Sequence, residues 1–178
     1  MQTEFITQNS SETKKLGKLL APELRGGEVI CLCGELGAGK TTFAQGLLEG
    51  LSAPKPYTSP TFVVMKEYKT AISEQKTVKG KQESISRNKK DGKQKIDNVY
   101  HFDAYRVSAE DILNLGWEEI VADKENIVII EWADKLKKII PKRAIRIGFE
   151  WLDTKQRKLT ISKNDQNLPK LEKRAKNI

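Results

Sequence analysis

The pattern of apolar positions along this chain predicts strands that alternate with helices. Two short and nearly all-apolar runs, residues 28–33 (EVICLC) and 127–130 (IVII), are typical of strands buried on both faces of a sheet. Weaker strand patterns, which alternate in polarity or are rich in Val, Phe and Tyr, occur at residues 5–6, 61–68, 99–105, 144–151 and 158–162. Alternation of this kind is typical of an α/β fold.

Three segments have the apolar spacing of helices. The first begins after Asn9, which forms a predicted capping box with Glu12. The second covers residues 40–51, and the third covers residues 108–120, with Ser108 as its predicted N-cap. Strand, glycine-rich loop and helix follow one another almost without a gap around residue 34.

The excess positive charge of +8 belongs to two polar segments. Residues 69–97 carry nine basic and four acidic side chains, residues 163–178 carry five and two, and the rest of the chain holds eighteen of each sign. Neither segment has enough apolar groups to offset the entropy of ordering it. We therefore expect one domain at residues 1–162, a mobile basic insertion at 69–97 within a β-hairpin, and a basic polar tail at 163–178. Because the rest of the chain has no net charge, the composition does not indicate a DNA-binding fold.

Composition excludes several other classes of protein. No stretch approaches the roughly 18 uninterrupted apolar residues of a membrane span. The N-terminus has neither the basic nor the apolar region of a secretory signal. Two cysteines cannot by themselves build a disulfide scaffold or a zinc site. We expect a cytoplasmic protein that does not contact a membrane.

The strongest chemical signal is the segment GELGAGKT at residues 34–41, which matches G-x-x-x-x-G-K-[ST]. Its glycines allow backbone N–H groups to surround a phosphate, and the next helix adds its own unpaired N–H groups. Lys40 can reach the β- and γ-phosphates, and Thr41 can coordinate Mg²⁺. Because the segment lies between a buried strand and a helix, we predict a three-layer P-loop NTPase fold. Its sheet is expected to be mixed, mostly parallel, and extended by antiparallel strands.

Two carboxylates follow predicted strands and are candidates for the rest of the site. Glu131 ends the run 127–130, where it can hold Mg²⁺ directly or through water, or orient the attacking water. Asp103 ends a second strand and can position the metal or act as a base toward water. Thr61 either senses the γ-phosphate or belongs to a plain turn.

Three further residues each allow two interpretations. His101, the only histidine, shares a strand face with Asp103 and serves either packing or catalysis. Arg106 either neutralises phosphate charge or pairs with a nearby glutamate. Trp132 is either a core residue or a stacking surface.

Five sequence blocks, GELGAGKTTF, SPTF, HFDAYR, LGWEE and IIEW, resemble the TsaE (YjeE) family in their order and spacing. The resemblance covers about residues 4–162 apart from the insertion. It implies a slow ATPase that binds ATP or ADP with Mg²⁺ and acts with the TsaB and TsaD proteins. The reaction served is formation of threonylcarbamoyladenosine in tRNAs that read codons starting with A.

The resemblance also implies roles for individual residues. It implies that Asp103 is catalytic or near-catalytic and that Thr41 and Glu131 are the metal ligands. We therefore predict Lys40, Asp103 and Glu131 as the catalytic residues. The residues that the resemblance implies for nucleotide binding are Gly34, Glu35, Leu36, Gly37, Ala38, Gly39, Lys40, Thr41, Thr42, Thr61 and Trp132.

The insertion departs from the family pattern, in which the corresponding hairpin is short. It is either a solvated loop or a weak contact for tRNA phosphates, which nine basic side chains would attract in a salt-dependent way.

Two other functions remain open on the sequence alone. A small-molecule kinase of the P-loop class would use the same loop, although Arg106 is the only arginine between residues 87 and 143 for a phosphate lid. A non-enzymatic adaptor would bind RNA in a nucleotide-dependent way. A GTPase is disfavoured because no Asn-Lys-x-Asp block is present.

Overall fold

The computed structural model describes residues 2–70 and 96–163, which form a seven-stranded mixed sheet with helices on both faces. The strands are β1 (Gln2–Thr7), β2 (Val29–Gly34), β3 (Met65–Lys69), β4 (Asn98–Asp103), β5 (Asn126–Glu131), β6 (Ile145–Trp151) and β7 (Arg157–Ser162). The helices are α1 (Ser10–Leu20), α2 (Lys40–Gly50), α3 (Ala109–Leu113) and α4 (Trp117–Ala122), with 3-10 turns at Ala21–Glu23 and Ala133–Leu136.

The order of strands across the sheet is β1-β7-β6-β2-β5-β4-β3. The four neighbours β6, β2, β5 and β4 are parallel to one another. Antiparallel β3 extends one edge, and antiparallel β7 followed by β1 extends the other. The predicted α/β fold with a mixed sheet extended by antiparallel strands is therefore confirmed.

Both faces of the central strands are buried, as the run 28–33 predicts. Ile30 and Leu32 point to the side covered by α1 and α2, and Val29 and Cys31 point to the side covered by α3, α4 and the turn Ala133–Leu136. All four side chains are at most 1% exposed. Burial raises the pKa of the Cys31 thiol to about 12, so this cysteine behaves as a small apolar residue.

Helices α1 and α2 touch through their backbones. A Cβ atom on Gly46 would lie 1.9 Å from the Lys14 carbonyl oxygen, so no larger residue fits there without a shift. Glu49 on α2 receives Lys18 at 2.7 Å and Lys14 at 3.0 Å. These hydrogen bonds, Lys18 first, lower the pKa of Glu49 to about 2. Close packing and charge pairing thus hold the two helices together beside the sheet.

The predicted N-caps are present in the structure. Asn9 Oδ1 accepts a hydrogen bond from the Glu12 backbone N–H at 3.0 Å. Ser108 and Asp111 form a reciprocal capping box at the start of α3. The helix predicted at residues 108–120 is nevertheless wrong in its length, because the chain breaks it into α3 and α4. Gly116 has a φ of 81° between them, in the left-handed region that glycine adopts most readily.

The strand predicted at residues 61–68 begins only at Met65. The preceding residues form a turn in which the Val63 and Val64 backbone N–H groups both donate to the Pro60 carbonyl. Val64 has a φ of 66°, a conformation that is unfavourable for a β-branched residue and that ends the turn. The apolar β-branched residues before Met65 therefore do not extend the strand.

The predicted hairpin is present as the antiparallel pair β3 and β4. The Thr70 backbone N–H donates to the Asp97 carbonyl at 2.9 Å, so the two ends of the long connection lie side by side. Residues 71–95 of the predicted insertion and residues 164–178 of the predicted tail lie outside the described residues. Within residues 2–70 and 96–163, no helix combines the length and the apolar character needed to cross a membrane.

Candidate functional site

The glycine-rich loop passes from the end of β2 straight into α2. Gly34 has a φ of 137°, and a Cβ there would lie 2.4 Å from the Phe149 carbonyl oxygen, so only glycine fits. Gly39 caps α2 with a φ of 103°. The loop therefore presents its backbone to the space above the N-terminus of an eleven-residue helix, which is the geometry of an anion-binding site.

Lys40 is folded back onto this loop. Its Nζ donates to the carbonyl oxygens of Gly34 and Glu35, each at 2.7 Å. It also lies 3.7 Å from the centre of the Trp132 ring, which is a cation–π contact. Desolvation by burial lowers the pKa of Lys40, and the attraction of Glu131 only partly opposes this shift. The amine is thus held in a low-water environment, ready to exchange carbonyl oxygens for another acceptor.

Glu131 is a buried carboxylate, 2% exposed, at the end of β5. The Thr41 hydroxyl donates to its Oε2 at 2.7 Å. His101 Nε2 lies 2.9 Å from its Oε1. Both oxygens of Glu131 therefore have a partner from a different element, one from α2 and one from β4.

Asp103 is the second buried carboxylate and is 4% exposed. Its Oδ2 accepts a hydrogen bond from the Thr61 hydroxyl at 2.5 Å, and its Oδ1 accepts one from the Tyr105 backbone N–H at 2.8 Å. The Ser59 hydroxyl lies 2.6 Å from that of Thr61. The turn before β3 is in this way connected to the end of β4.

The sheet register explains why the two carboxylates meet. Strands β4 and β5 are parallel, and Asp103 is the residue directly opposite Glu131. The carboxyl ends of parallel strands lie at one edge of a sheet, where α/β proteins bind their ligands. The loop after β2 opens at the same edge, because β2 is parallel to β5.

These groups surround a cavity of about 460 Å³. Its walls comprise Leu36, Gly37, Gly39, Lys40, Thr41, Thr42, Thr61, Asp103, Tyr105, Arg106, Glu131 and Trp132. Ten of the residues predicted for the site are among them. Gly34, Glu35 and Ala38 belong to the loop but not to the cavity wall. The roles of all these residues remain predictions, whereas their assembly around one space is a feature of the structure.

Tyr105 is a wall residue that the sequence prediction missed. Its ring packs against that of Trp132, with 4.8 Å between the ring centres. It follows Asp103 by two residues, and this spacing is the one signal that pointed to it. Arg106 also lines the cavity, with its guanidinium 5.6 Å from the centre of the exposed Phe62 ring. Which of the two interpretations applies to Arg106 stays a prediction.

Trp132 has a strained backbone, with a φ of 60°. A bulky residue in this region costs on the order of 1–3 kcal/mol and persists only when its surroundings fix it. Here Lys40 and Tyr105 both contact the ring. Strain of this kind is concentrated at functional sites.

A smaller cavity of about 70 Å³ adjoins the first on the outer side of the loop. It shares Gly37, Gly39 and Thr42 with the larger one, and Ser10, Thr13, Lys155 and Arg157 complete it. The start of α1, which holds Ser10, thus lies beside the loop.

The oxygen atoms at the site suit a magnesium ion. The Thr41 hydroxyl and the carboxylates of Glu131 and Asp103 are hard oxygen donors, the kind that Mg²⁺ prefers. Among the described residues no group of three or more His, Cys, Asp or Glu side chains is arranged to hold a metal.

Fold and cavity together define an α/β protein whose G-x-x-x-x-G-K-T loop opens, with two buried carboxylates, onto one cavity at the carboxyl edge of its sheet. The family model "Threonylcarbamoyl adenosine biosynthesis protein TsaE" matches residues 7–79 and 84–159. The chain belongs to the TsaE family, as its sequence blocks indicate.

Relatives of known name agree with this assignment. The chain is 32% identical to the tRNA threonylcarbamoyladenosine biosynthesis protein TsaE of Rickettsia felis, over 90% of this chain and 80% of the relative. The proteins of the same name from Bacillus subtilis and Aquifex aeolicus are 30% and 34% identical, over 90% and 89% of this chain and 85% and 94% of their own length. The crystal structure of Bacillus subtilis YdiB is similar with a TM-score of 0.67, at 25% identity, over 98% of this chain and 94% of that one.

Proposed function

We propose that this protein is a cytoplasmic, Mg²⁺-dependent ATPase. Acting with TsaB and TsaD, it serves formation of threonylcarbamoyladenosine in tRNAs that read codons starting with A. Membership of the TsaE family supports the pathway. The observation that carries the proposal is the convergence of Lys40, Thr41, Asp103 and Glu131 on one cavity.

The loop and Lys40 bind the phosphates of ATP or ADP. The Lys40 amine, now bonded to two loop carbonyls, exchanges them for phosphate oxygens. The exchange is favourable because a buried cation gains more from an anion than from a neutral carbonyl. The lowered pKa of Lys40 reflects the cost of burying its charge without such an anion.

Thr41 and Glu131 hold Mg²⁺. A hydroxyl carries one proton and two lone pairs, so Thr41 can donate to Glu131 Oε2 and still offer an electron pair to the cation. When bound there, the ion would supply positive charge that offsets the charge of the phosphate oxygens. Glu131 contributes its negative charge directly or through a water.

Asp103 acts toward the attacking water, either as the base or by positioning. The water oxygen forms a bond to the γ-phosphorus, the bond to the bridging oxygen breaks, and the water proton passes to an acceptor, giving ADP and phosphate. Asp103 is held by Thr61 and by the Tyr105 backbone, so its oxygens are fixed before substrate arrives. Thr61 lies in the turn before β3, and we propose that this turn responds to the γ-phosphate.

The smaller cavity provides the nucleoside side of the site. It continues from the loop residues Gly37, Gly39 and Thr42 toward Ser10 and Arg157, away from the two carboxylates. A nucleotide whose phosphates occupy the loop would extend its base in this direction.

Apolar side chains at the mouth of the larger cavity support a protein partner. Phe62 is 87% exposed, Leu36 is 72% exposed and Val63 is 59% exposed, and all three lie in segments that frame the site. Exposed apolar groups clustered next to a functional site are typical of interaction surfaces. A TsaB–TsaD complex that docked here would cover the cavity and could regulate turnover.

The proposal is tested by measuring phosphate release from ATP with and without the TsaB–TsaD complex. We expect slow release alone, stimulation by the complex, and loss of both with Lys40→Ala. The matched control is Lys138→Ala, an exposed lysine that does not line the cavity, which should keep wild-type rates. Phosphorylation of a metabolite would indicate a kinase instead, and RNA binding without turnover would indicate an adaptor.

A further inference from the structure

His101 is a buried imidazole at the back of the cavity wall. It is 1% exposed and lies on β4, two residues before Asp103. In the parallel register it is opposite Ile129, two residues before Glu131. Residues two apart on a strand share a face, so His101 lies diagonally behind Glu131 on the face covered by α2.

The two ring nitrogens of His101 differ in their surroundings. Nε2 lies 2.9 Å from Glu131 Oε1. Nδ1 is buried and has no hydrogen-bond partner among the described residues. Within that part of the chain, the contact with Glu131 is therefore the polar interaction that the imidazole makes. When the carboxylate is ionised it only accepts hydrogen bonds, and Nε2–H is then the donor of this pair.

We propose that His101 is a positioning residue that fixes the orientation of Glu131 for the metal. This inference rests on the proposed Mg²⁺-dependent function and deepens it. The Glu131 oxygen Oε2 accepts from Thr41, and both residues line the cavity where a cation would bind. His101 contacts the other oxygen, Oε1, so both oxygens are held and rotation of the carboxylate would break these contacts. Outer groups that orient a metal ligand in this way commonly contribute 10–100-fold to metal affinity.

Packing alone does not account for a histidine at this position. The residues around it on the same sheet face, Val99, Ile127 and Ile129, are fully buried and apolar. An aliphatic side chain would suit these neighbours better and would leave no nitrogen unpaired, since burying a polar atom without a partner is costly. The imidazole is explained by its bond to Glu131.

The test compares His101→Leu with His101→Gln. Leucine provides an apolar side chain of comparable size and removes the imidazole N–H donor. The glutamine amide nitrogen can occupy nearly the position of imidazole Nε2 and restores a donor to Glu131. Calorimetry measures the affinity for a non-hydrolysable ATP analogue in Mg²⁺ and in EDTA, and the ratio of the two affinities reports the metal contribution. Circular dichroism and urea unfolding confirm that each variant is folded.

We expect His101→Leu to reduce the Mg²⁺-to-EDTA affinity ratio by about 10–100-fold while the affinity in EDTA stays within about twofold. His101→Gln should return the ratio to near the wild-type value. An unchanged ratio in His101→Leu, or equal losses in Mg²⁺ and EDTA, would overturn the positioning role. If the wild-type protein itself shows no Mg²⁺-dependent binding, the proposed function fails with it. If the wild-type protein binds the analogue in an Mg²⁺-dependent way but the His101 variants do not show the expected affinity ratios, the proposed function stands and this inference alone is wrong.

Discussion

Replacing Thr61 with valine tests the link between the turn before β3 and Asp103 at the carboxyl edge of the sheet. Valine has nearly the shape of threonine but carries a methyl group in place of the hydroxyl. The change removes the 2.5 Å hydrogen bond to Asp103 Oδ2 and leaves that oxygen without this donor at a residue only 4% exposed. The other oxygen keeps its bond from the Tyr105 backbone.

The magnitude follows from the kind of bond that is lost. A hydrogen bond to a charged group contributes about 1.5–3 kcal/mol to stability. Thr61 is half-buried at the cavity wall, so water can partly replace its hydroxyl, and the lower end of about 1.5 kcal/mol applies. With a urea dependence of about 2 kcal/mol per M, the unfolding midpoint should fall by roughly 0.7 M. The turn should also lose its connection to Asp103, so ATP turnover should fall more than ATP affinity.

Urea unfolding followed by circular dichroism measures the stability change, and phosphate release measures the turnover. Thr61→Ser is the matched control, because it keeps the hydroxyl and should shift the midpoint much less than Thr61→Val. Equal unfolding midpoints for the valine and serine variants would refute the reasoning. Loss of the hydroxyl would then cost no more stability than loss of the methyl group.

The remaining predictions concern charges and the long connection. Glu131→Ala should leave nucleotide bound but abolish Mg²⁺-dependent phosphate release, and normal release would remove Glu131 from the site. Because the pKa of Glu49 is lowered from 4.5 to about 2, its stabilisation is complete above pH 4.5 and is lost as the pH falls toward 2. Thermal melts should therefore show a lower melting temperature for Glu49→Gln than for wild type at pH 7 and an equal one near pH 2. A difference in melting temperature that does not change with pH contradicts this. Burial lowers the pKa of Lys40, so the folded protein releases the Lys40 proton at a lower pH than the unfolded chain does. The free energy of unfolding should therefore rise with pH between that lowered pKa and 10.5. Urea titrations of Lys40→Met should lack this rise, and its persistence argues for another group. Replacing residues 71–95 by Asn-Gly, a favoured hairpin turn, should preserve folding because the flanking ends are hydrogen-bonded neighbours. Filter binding at low and moderate salt then tests the tRNA contact, and unchanged affinity eliminates it.

Most residues that line the cavity could be predicted from the sequence because they belong to local patterns. A buried strand that leads into a G-x-x-x-x-G-K-T loop and a helix has few alternatives, and Glu131 was recognisable as the carboxylate at the end of such a strand. Asp103 was a candidate because it too ends a predicted strand, and the parallel register then shows that it lies opposite Glu131.

The contact between His101 and Glu131 was beyond sequence reasoning. Periodicity gave the face of β4 on which His101 lies, but not that β4 would be the neighbour of β5. Strand order arises from long-range packing, so a contact between residues 30 positions apart cannot be read from spacing.

Two local errors have a different cause. The residues before Met65 have strand propensity, yet two hydrogen bonds to the Pro60 carbonyl hold them in a turn. The break at Gly116 lies inside an otherwise helical pattern. In both places local backbone geometry, a hydrogen-bonded turn or a left-handed glycine, outweighed a propensity worth only fractions of a kcal/mol.

The attachment points of the long connection lie far from the residues around the cavity. The connection leaves β3 after Lys69 and enters β4 before Asn98, whereas Asp103 lies at the opposite end of β4. Five residue steps along a strand separate the two ends by roughly 16 Å. A lineage could therefore lengthen this segment, or change its charge, under selection separate from that on the chemical centre.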